Sequence, residues 1–323
     1  MKYDFITIGG AVIDETFKAD EGELIDNSQD ILRQKLIGFE YGAKVILKDH
    51  HEYFGGGASN AAVCLSRLGF KSAAFVQVGN DERGLKILAN FKKEKVSIKF
   101  VKVSHELSTG FSFVLVTKGN EHIIFTSRGA NESLSVNFVE KKALEQGKWL
   151  YISSLSGEWE KVLDKALAVV GPKKAWNPGS TQLKAGLRKL SKYIKKVDVL
   201  VLNQDEATEL AISDKKYKKK SKAYLKKTEN LLKILKSYCS GIVVITKGDK
   251  GAYAYDGEKI YHEKAKKIAG IQDTTGVGDA FSSSFVAGLH NFNGNIKRAM
   301  KLGIQNSGYV LKKTGAQNGL MKI

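Results

Sequence analysis

Seven short runs rich in β-branched and aromatic residues recur down the chain, at positions 5–8, 73–78, 111–116, 123–126, 150–153, 197–202 and 242–246. Several are continuously apolar rather than alternating, the pattern of strands covered on both faces. Between many of them lie helix-length amphipathic stretches, at 61–68, 84–93, 161–170, 228–238 and 280–289. Strand followed by helix, repeated, implies an α/β architecture: a central, mostly parallel sheet flanked by crossover helices. Two regions break that rhythm. Residues 15–53 are polar and irregular with a short strand-like piece at 44–47, and residues 98–127 supply two strands around the turn Lys118-Gly119-Asn120. A small β-sheet projecting from the body is expected there. The organisation expected is one domain over residues 1–323, with a lid formed from about 15–53 and 98–127.

With 323 residues the chain is long enough to bury its own core without staples. Hydrophobic residues at 42% and charged residues at 27% exclude a disordered, collagen-like or coiled-coil chain. No apolar run approaches the roughly 18 residues of a membrane span. The first strand is interrupted by Asp4 and does not resemble a signal peptide. Cys64 and Cys239 form no C-x-x-C pair and read as buried free thiols, so a cytoplasmic, reducing location is expected.

The formal charge of +18, from 52 Lys and Arg against 34 Asp and Glu, would attract phosphorylated small molecules, anionic membrane or nucleic acid. Much of it is concentrated in Lys215, Lys216, Lys218, Lys219, Lys220, Lys222, Lys226 and Lys227. Neither aromatic interleaving nor a recognition motif accompanies that segment, so it reads as a solvated helix and loop rather than a nucleic-acid patch.

Chemistry concentrates in two glycine-bearing segments. In Asp273-Thr274-Thr275-Gly276-Val277-Gly278-Asp279, the following Phe281, Phe285 and Leu289 recur every fourth residue, so a glycine turn opens an amphipathic helix with Asp279 in its first turn. Backbone N–H groups at such an entrance bind anions. A carboxylate beside them either caps the helix or accepts the proton of a hydroxyl that attacks a phosphoryl group. The second segment, Gly55-Gly56-Gly57-Ala58-Ser59-Asn60, also runs into a helix. Its glycines permit close approach, and Asn60 offers both a donor and an acceptor to a polyhydroxylated ligand. His50-His51-Glu52 lacks metal-site spacing, and Gly9-Gly10 lacks the remaining glycines of a dinucleotide fingerprint.

These segments resemble the two signatures of the PfkB carbohydrate kinases, the ribokinase-like sugar and nucleoside kinases. The first agrees at Gly55, Gly56, Ala58, Asn60, Ala62, Gly69 and Gly79. The second agrees at Asp273, Thr274, Gly276, Gly278 and Asp279 and departs at Val277 and Ser284, where smaller residues are usual. The resemblance implies a ribokinase-like fold and ATP-dependent phosphorylation of a hydroxymethyl group on a sugar, with Mg²⁺ and, in some members, K⁺. It makes Asp279 the base and Gly276, Val277 and Gly278 the amides that hold transferring charge. Substrate would be bound by Asp14, Gly55, Gly56 and Asn60, and nucleotide by Asn203, Glu206, Thr246, Gly248 and Gly251. Asp273 would sit at a monovalent-cation site, Gly315-Ala316-Gln317 near the adenine, and a homodimer would form through the lid. A nucleoside kinase is the nearest alternative. A sugar-phosphate kinase would need basic groups such as Lys44, Lys48 or Arg128 facing the substrate, and a non-catalytic nucleic-acid-binding protein is the reading from another class.

Overall fold

A computed structural model describes residues 1–29, 35–117 and 122–323. Its main sheet has eight strands, in the spatial order Ser72–Phe75, Tyr3–Ile8, Gly147–Ile152, Lys173–Trp176, Val199–Asn203, Ile242–Thr246, Ala252–Tyr255 and Ile260–Glu263. The first six run parallel and the last two are antiparallel. Alternation along each strand sends side chains to two separate cores. One gathers Ile6, Ile8, Leu150, Ile152, Leu200, Leu202, Val243 and Ile245 under the helices Trp159–Leu167, Leu187–Ile194, Gln204–Ile212 and Thr228–Lys236. The other gathers Phe5, Trp149, Tyr151, Val199, Val201 and Val244 under Gly57–Arg67, Val277–Asn291 and Ile296–Val310. Two covered faces are the reason the strands read as unbroken apolar runs. Each fully buried Leu, Ile or Phe among them contributes about 1.5–3 kcal/mol.

A second sheet of four strands, in the order His122–Ser127, Phe111–Val116, Val12–Lys18, Lys48–Gly55, rises beside the carboxyl ends of the parallel strands. Val12–Lys18 runs parallel to Phe111–Val116 and antiparallel to Lys48–Gly55, and a hairpin of Glu23–Asp26 with Lys35–Gly38 extends from it. The helix Glu82–Lys93 ties this sheet to the body: Arg83 Nη2 donates to Glu15 Oε1 at 2.5 Å, its guanidinium lies over the Phe111 ring, and Lys86 pairs with Glu52.

Several expectations shift. The run 73–78 is two strands, because Ser72–Phe75 pairs with Tyr3–Ile8 whereas Gln77–Gly79 pairs with Lys102–Ser104 in a different ribbon. Residues 44–47 carry no regular structure, and the strand begins at Lys48. The turn Lys118-Gly119-Asn120 lies outside the described residues. The helix Val277–Asn291 is buried on all sides from Ala280 to Leu289 rather than amphipathic. Its serines tolerate that burial because Ser282 and Ser283 hydroxyls donate back to the carbonyls of Gly278 and Asp279, while Ser284 Oγ accepts from Asn306 Nδ2 at 2.8 Å. Ser284 therefore fits where a smaller residue is usual because Asn306 satisfies its hydroxyl. In the lysine-rich segment, Lys215–Lys218 and Lys222–Leu225 are short helices anchored by buried Tyr217 and Leu225 with their lysines outward. Both cysteines are free and buried. Among the described residues no helix is long and apolar enough to cross a membrane.

Candidate active site

Open α/β sheets bind ligands beyond the carboxyl ends of their strands, and here that edge receives two helix entrances that face each other. Tyr3–Ile8 ends at Gly9-Gly10, whose carbonyl at Gly10 accepts from the amides of Ala58 and Ser59 at 3.2 Å. This clamps the start of Gly57–Arg67 against the sheet. Gly56, its N-cap, has φ +89, and a Cβ there would stand 2.5 Å from Gly10 O, so only glycine fits. A Cβ at Gly55 would stand 2.0 Å from Asp14 Oδ2. Gly276 caps the opposing helix in the left-handed region with φ +75, packed against Ala316. Val277 and Gly278 follow as its first helical residues. The Val277 amide makes a long turn contact of 3.4 Å to Thr274 O, and space beside Gly278 is open to 4 Å.

Asp279 stands where the two entrances meet. Asn60 Nδ2 donates to Asp279 Oδ2 at 2.8 Å, and the other oxygen lies 3.4 Å from the Cβ position of Gly57. Burial pushes the Asp279 carboxyl above the usual carboxylate range, and the Asn60 donor opposes the shift. Asp14, on Val12–Lys18, is buried with its carboxyl pushed up to about 6, first by burial and further by the charges of Asp279 and Asp273, against a hydrogen bond from Ser112. Asp279 is thus bonded directly to Asn60, and Asp14 lies close enough for its charge and that of Asp279 to interact.

Beside Asp279, a pocket of about 210 Å³ is lined by Asn177, Val201, Leu202, Asn203, Glu206, Thr246, Gly276, Gly278 and Asp279 itself. Asn203 and Glu206 form a reciprocal capping box on Gln204–Ile212: Asn203 Oδ1 accepts the Glu206 N–H and Glu206 Oε2 accepts the Asn203 N–H, both at 2.8 Å. Glu206 is nonetheless pushed up to about 7, by burial first and by the charge of Asp279 second. The lining holds carboxylates and no lysine or arginine. That donor set suits a ligand that brings its own positive charge, such as a nucleotide carrying a divalent cation.

Gly248 and Gly251 belong to a tight turn after Ile242–Thr246 and do not line the pocket. Gly251, with φ +89, packs on the carbonyl of Glu263. Asp273 faces its own loop: Oδ1 accepts from the amide and hydroxyl of Thr275, and Oδ2 accepts the Gly315 N–H at 2.8 Å. One further acceptor site remains on Oδ2. Among the described residues no group of three or more His, Cys, Asp or Glu side chains is placed to hold a metal ion.

One residue at the site, Asn177, escaped the sequence reading, and another, Gln317, was expected near the adenine but is placed elsewhere. Asn177 lines the pocket with its amide tied to Val201 O at 3.0 Å, and the only sequence signal is the Asn177-Pro178 break after a strand. Gln317 is buried beneath Asn60 instead of facing the pocket, donating to Asn60 Oδ1 and Ser59 Oγ, each at 3.0 Å.

A model of the pfkB family carbohydrate kinases matches residues 28–323. The chain belongs to that family. It is 26% identical to an ATP-dependent 6-phosphofructokinase of Thermoanaerobacterium thermosaccharolyticum, over 98% of this chain and 90% of that one. Ribokinase from Thermotoga maritima superposes with a TM-score of 0.80 at 20% identity, covering 99% of this chain and 96% of the other. Adenosine kinase from Sinorhizobium meliloti does so with 0.78 at 21%, covering 98% and 96%. As a pfkB-family kinase the protein is a phosphotransferase with an alcohol acceptor, acting on the sugar and nucleoside class of substrates, and its fold is ribokinase-like.

Proposed function

We propose that this pfkB-family kinase transfers the γ-phosphoryl group of ATP to a hydroxymethyl group of a sugar. The carrying observation is the 2.8 Å bond between Asn60 and Asp279 in a cleft that also couples Asp14 to Asp279. Asp14, Asn60 and the backbone at Gly55 and Gly56 hold the acceptor hydroxyls. Asp279 takes the proton of the attacking hydroxyl at its carboxylate. The first-turn amides from Gly276 to Gly278 have no intrahelical acceptor and stabilise charge on the transferring group, each such donor being worth about 3 kcal/mol of barrier. Asn203, Glu206 and Thr246 line the nucleotide side of the cleft, and the turn carrying Gly248 and Gly251 follows the strand that ends at Thr246. Mg²⁺ bound with the nucleotide supplies the positive charge that this carboxylate-lined cleft lacks. The four-stranded sheet, which carries Asp14, acts as a lid over the cleft, excluding water that would compete for the phosphoryl group. Asp273, with one acceptor site on Oδ2 not taken by Gly315, would help hold a monovalent cation such as K⁺. A homodimer forms through the lid, supported by the exposure of Leu24, Ile25, Leu36, Ile124 and Phe125 on that sheet and its hairpin.

A second reading, an acceptor that already carries a phosphate, is favoured by one observation. Arg128, half-buried at the end of the lid strand His122–Ser127, donates among the described residues to two hydroxyls, Thr181 Oγ1 at 2.7 Å and Ser156 Oγ at 3.3 Å. No carboxylate among the described residues pairs with it. Lys44 and Lys48 are exposed, and Lys48 is engaged by Asp20. The phosphofructokinase relative acts on a substrate of that class by name. ADP formation from ATP and Mg²⁺ with ribose, fructose, adenosine and fructose 6-phosphate, in K⁺ and in Na⁺, tests both readings. The first predicts the highest kcat/KM with a neutral sugar. A preference for fructose 6-phosphate that disappears in Arg128→Gln selects the second, a preference for adenosine selects a nucleoside kinase, and no transfer to any acceptor refutes the proposal.

A further inference from the structure

We propose that Gln317 is a positioning residue for Asp279, fixing the amide of Asn60 so that its Nδ2–H, and not its oxygen, faces the carboxylate. The inference rests on the reading of Asp279 as the base. A terminal amide has two nearly isosteric orientations. With Nδ2 toward a carboxylate the contact is attractive, and with Oδ1 toward it the contact is repulsive, so the bond at 2.8 Å needs something to select one orientation. The selection is made at the far end of the side chain, where Asn60 Oδ1 accepts from Gln317 Nε2 at 3.0 Å.

Gln317 carries the same ambiguity, and it is resolved in turn. Its Oε1 accepts from Asn90 Nδ2 at 2.9 Å, which forces Nε2 toward Asn60 and Ser59. Its main chain is pinned as well, since Arg67 Nη1 donates to Gln317 O at 2.6 Å and the guanidinium is held by both oxygens of Glu94 at 2.8 Å. Asn60, Asn90 and Gln317 are all buried, so water cannot replace a missing partner. The relay therefore runs from the helix Glu82–Lys93 through a residue near the carboxyl terminus to the foot of the helix Val277–Asn291.

The orientation has a chemical consequence. Among the described residues, the groups whose titration is shifted by the charge of Asp279 are Asp14 on the lid strand, Glu206 on Gln204–Ile212, Tyr151 on Gly147–Ile152 and Cys64 on Gly57–Arg67. Every one is an acid, and none is a cation that would help keep Asp279 ionised. The Asn60 donor is the side-chain contact that does so. A reversed amide would replace that donor with an acceptor and leave the base protonated over a wider range of pH.

The test needs no acceptor sugar: carboxyl-¹³C-aspartate labelling of the full ligand-free chain, with the Asp279 resonance identified by its loss in Asp279→Asn and titrated by NMR. Gln317→Met is expected to raise the Asp279 midpoint by about one pH unit, the scale of one hydrogen bond to a charged group. Asn90→Leu, which touches neither Asp279 nor Asn60, is expected to raise it by less. Asn60→Ala raises it as well, and adding Gln317→Met to Asn60→Ala moves it no further, because both substitutions remove the same interaction. An unmoved midpoint in Gln317→Met and Asn90→Leu, or a shift that adds in full to that of Asn60→Ala, overturns the inference and leaves Gln317 a packing residue. Should Gln317→Met not fold, Asn90→Leu and Gln317→Glu carry the test. The glutamate can only accept when ionised and is expected to give the largest shift, and midpoints unmoved in both variants overturn the inference. Full phosphoryl transfer by Asp279→Asn would instead remove the base assignment while leaving the titration result standing.

Discussion

A methyl group added at Gly55 would meet Asp14 Oδ2 at 2.0 Å and one at Gly56 would meet Gly10 O at 2.5 Å, whereas one at Gly278 would meet nothing within 4 Å. Both glycine turns open helices at the same cleft, yet the first is glycine-rich so that protein can pack against protein. The second packs against Ala316 at Gly276 but at Gly278 leaves room for something the chain itself does not contain. The first turn seats a carboxylate and an amide that suit a polar acceptor, and the second places first-turn amides without intrahelical acceptors beside the open space at Gly278. A phosphoryl acceptor on one side and a donor on the other is the division of labour this contrast supports.

The sharpest way to break the comparison is an alanine at each turn. Gly56→Ala combines a positive φ with a backbone clash and is expected to cost roughly 4 kcal/mol or more, read as loss of soluble folded protein or a large drop in Tm. Gly278→Ala is expected to leave Tm unchanged or slightly raised, since alanine suits a helix and nothing is displaced. Its methyl group intrudes on the open space, and kcat/KM should fall by about 10- to 100-fold. Equal stability losses at the two positions would erase the distinction.

Asp14→Asn sharpens it through pH. The folded carboxyl titrates at about 6, above its ordinary 3.8, so the folded chain binds more protons than the unfolded chain between those values. Stability contributed at this position is therefore fully present below the unfolded value and lost as pH rises through the folded one. Removing the charge should stabilise the protein by about 3 kcal/mol at pH 7.5 and hardly at all at pH 3, while acceptor affinity falls. A variant less stable than the parent at pH 7.5 would mean that Asp14 holds the fold rather than the substrate.

On the nucleotide side, Glu206 pushed up to about 7 is close to half protonated at neutral pH. A bound cation favours its ionised form, so binding of Mg²⁺ and ATP should release about half a proton at pH 7. This is measurable as a dependence of the calorimetric heat on buffer ionisation enthalpy, and it should vanish in Glu206→Gln. Heats independent of the buffer would place the cation elsewhere.

The two turns were legible in the sequence because each compresses its chemistry into a few consecutive residues, and because glycines beside a helix pattern have few other uses. The parallel sheet was legible because both of its faces are covered. What escaped depends on partners distant in sequence. The break within residues 73–78 is set by which strand each half pairs with, and no local residue announces it. The fully buried environment of residues 280–289 depends on Tyr151 and Asn306 meeting Ser282 and Ser284, and the Phe281, Phe285, Leu289 spacing reads as amphipathic without them. Asn203 and Glu206 were visible as a spaced pair, but their mutual capping competes with any ligand for the same atoms. Gln317 lies 257 positions from Asn60, and only the fold puts them in contact.

The central claim is that Asp279 removes a proton and does not merely shape the nucleotide site. Asp279→Asn, assayed side by side for ATP binding by calorimetry and for ADP release with the best acceptor, tests it most directly. The account predicts ATP affinity within about threefold of the parent and turnover lower by about 10²- to 10⁴-fold. Turnover that survives, or is lost only in step with ATP affinity, would contradict it.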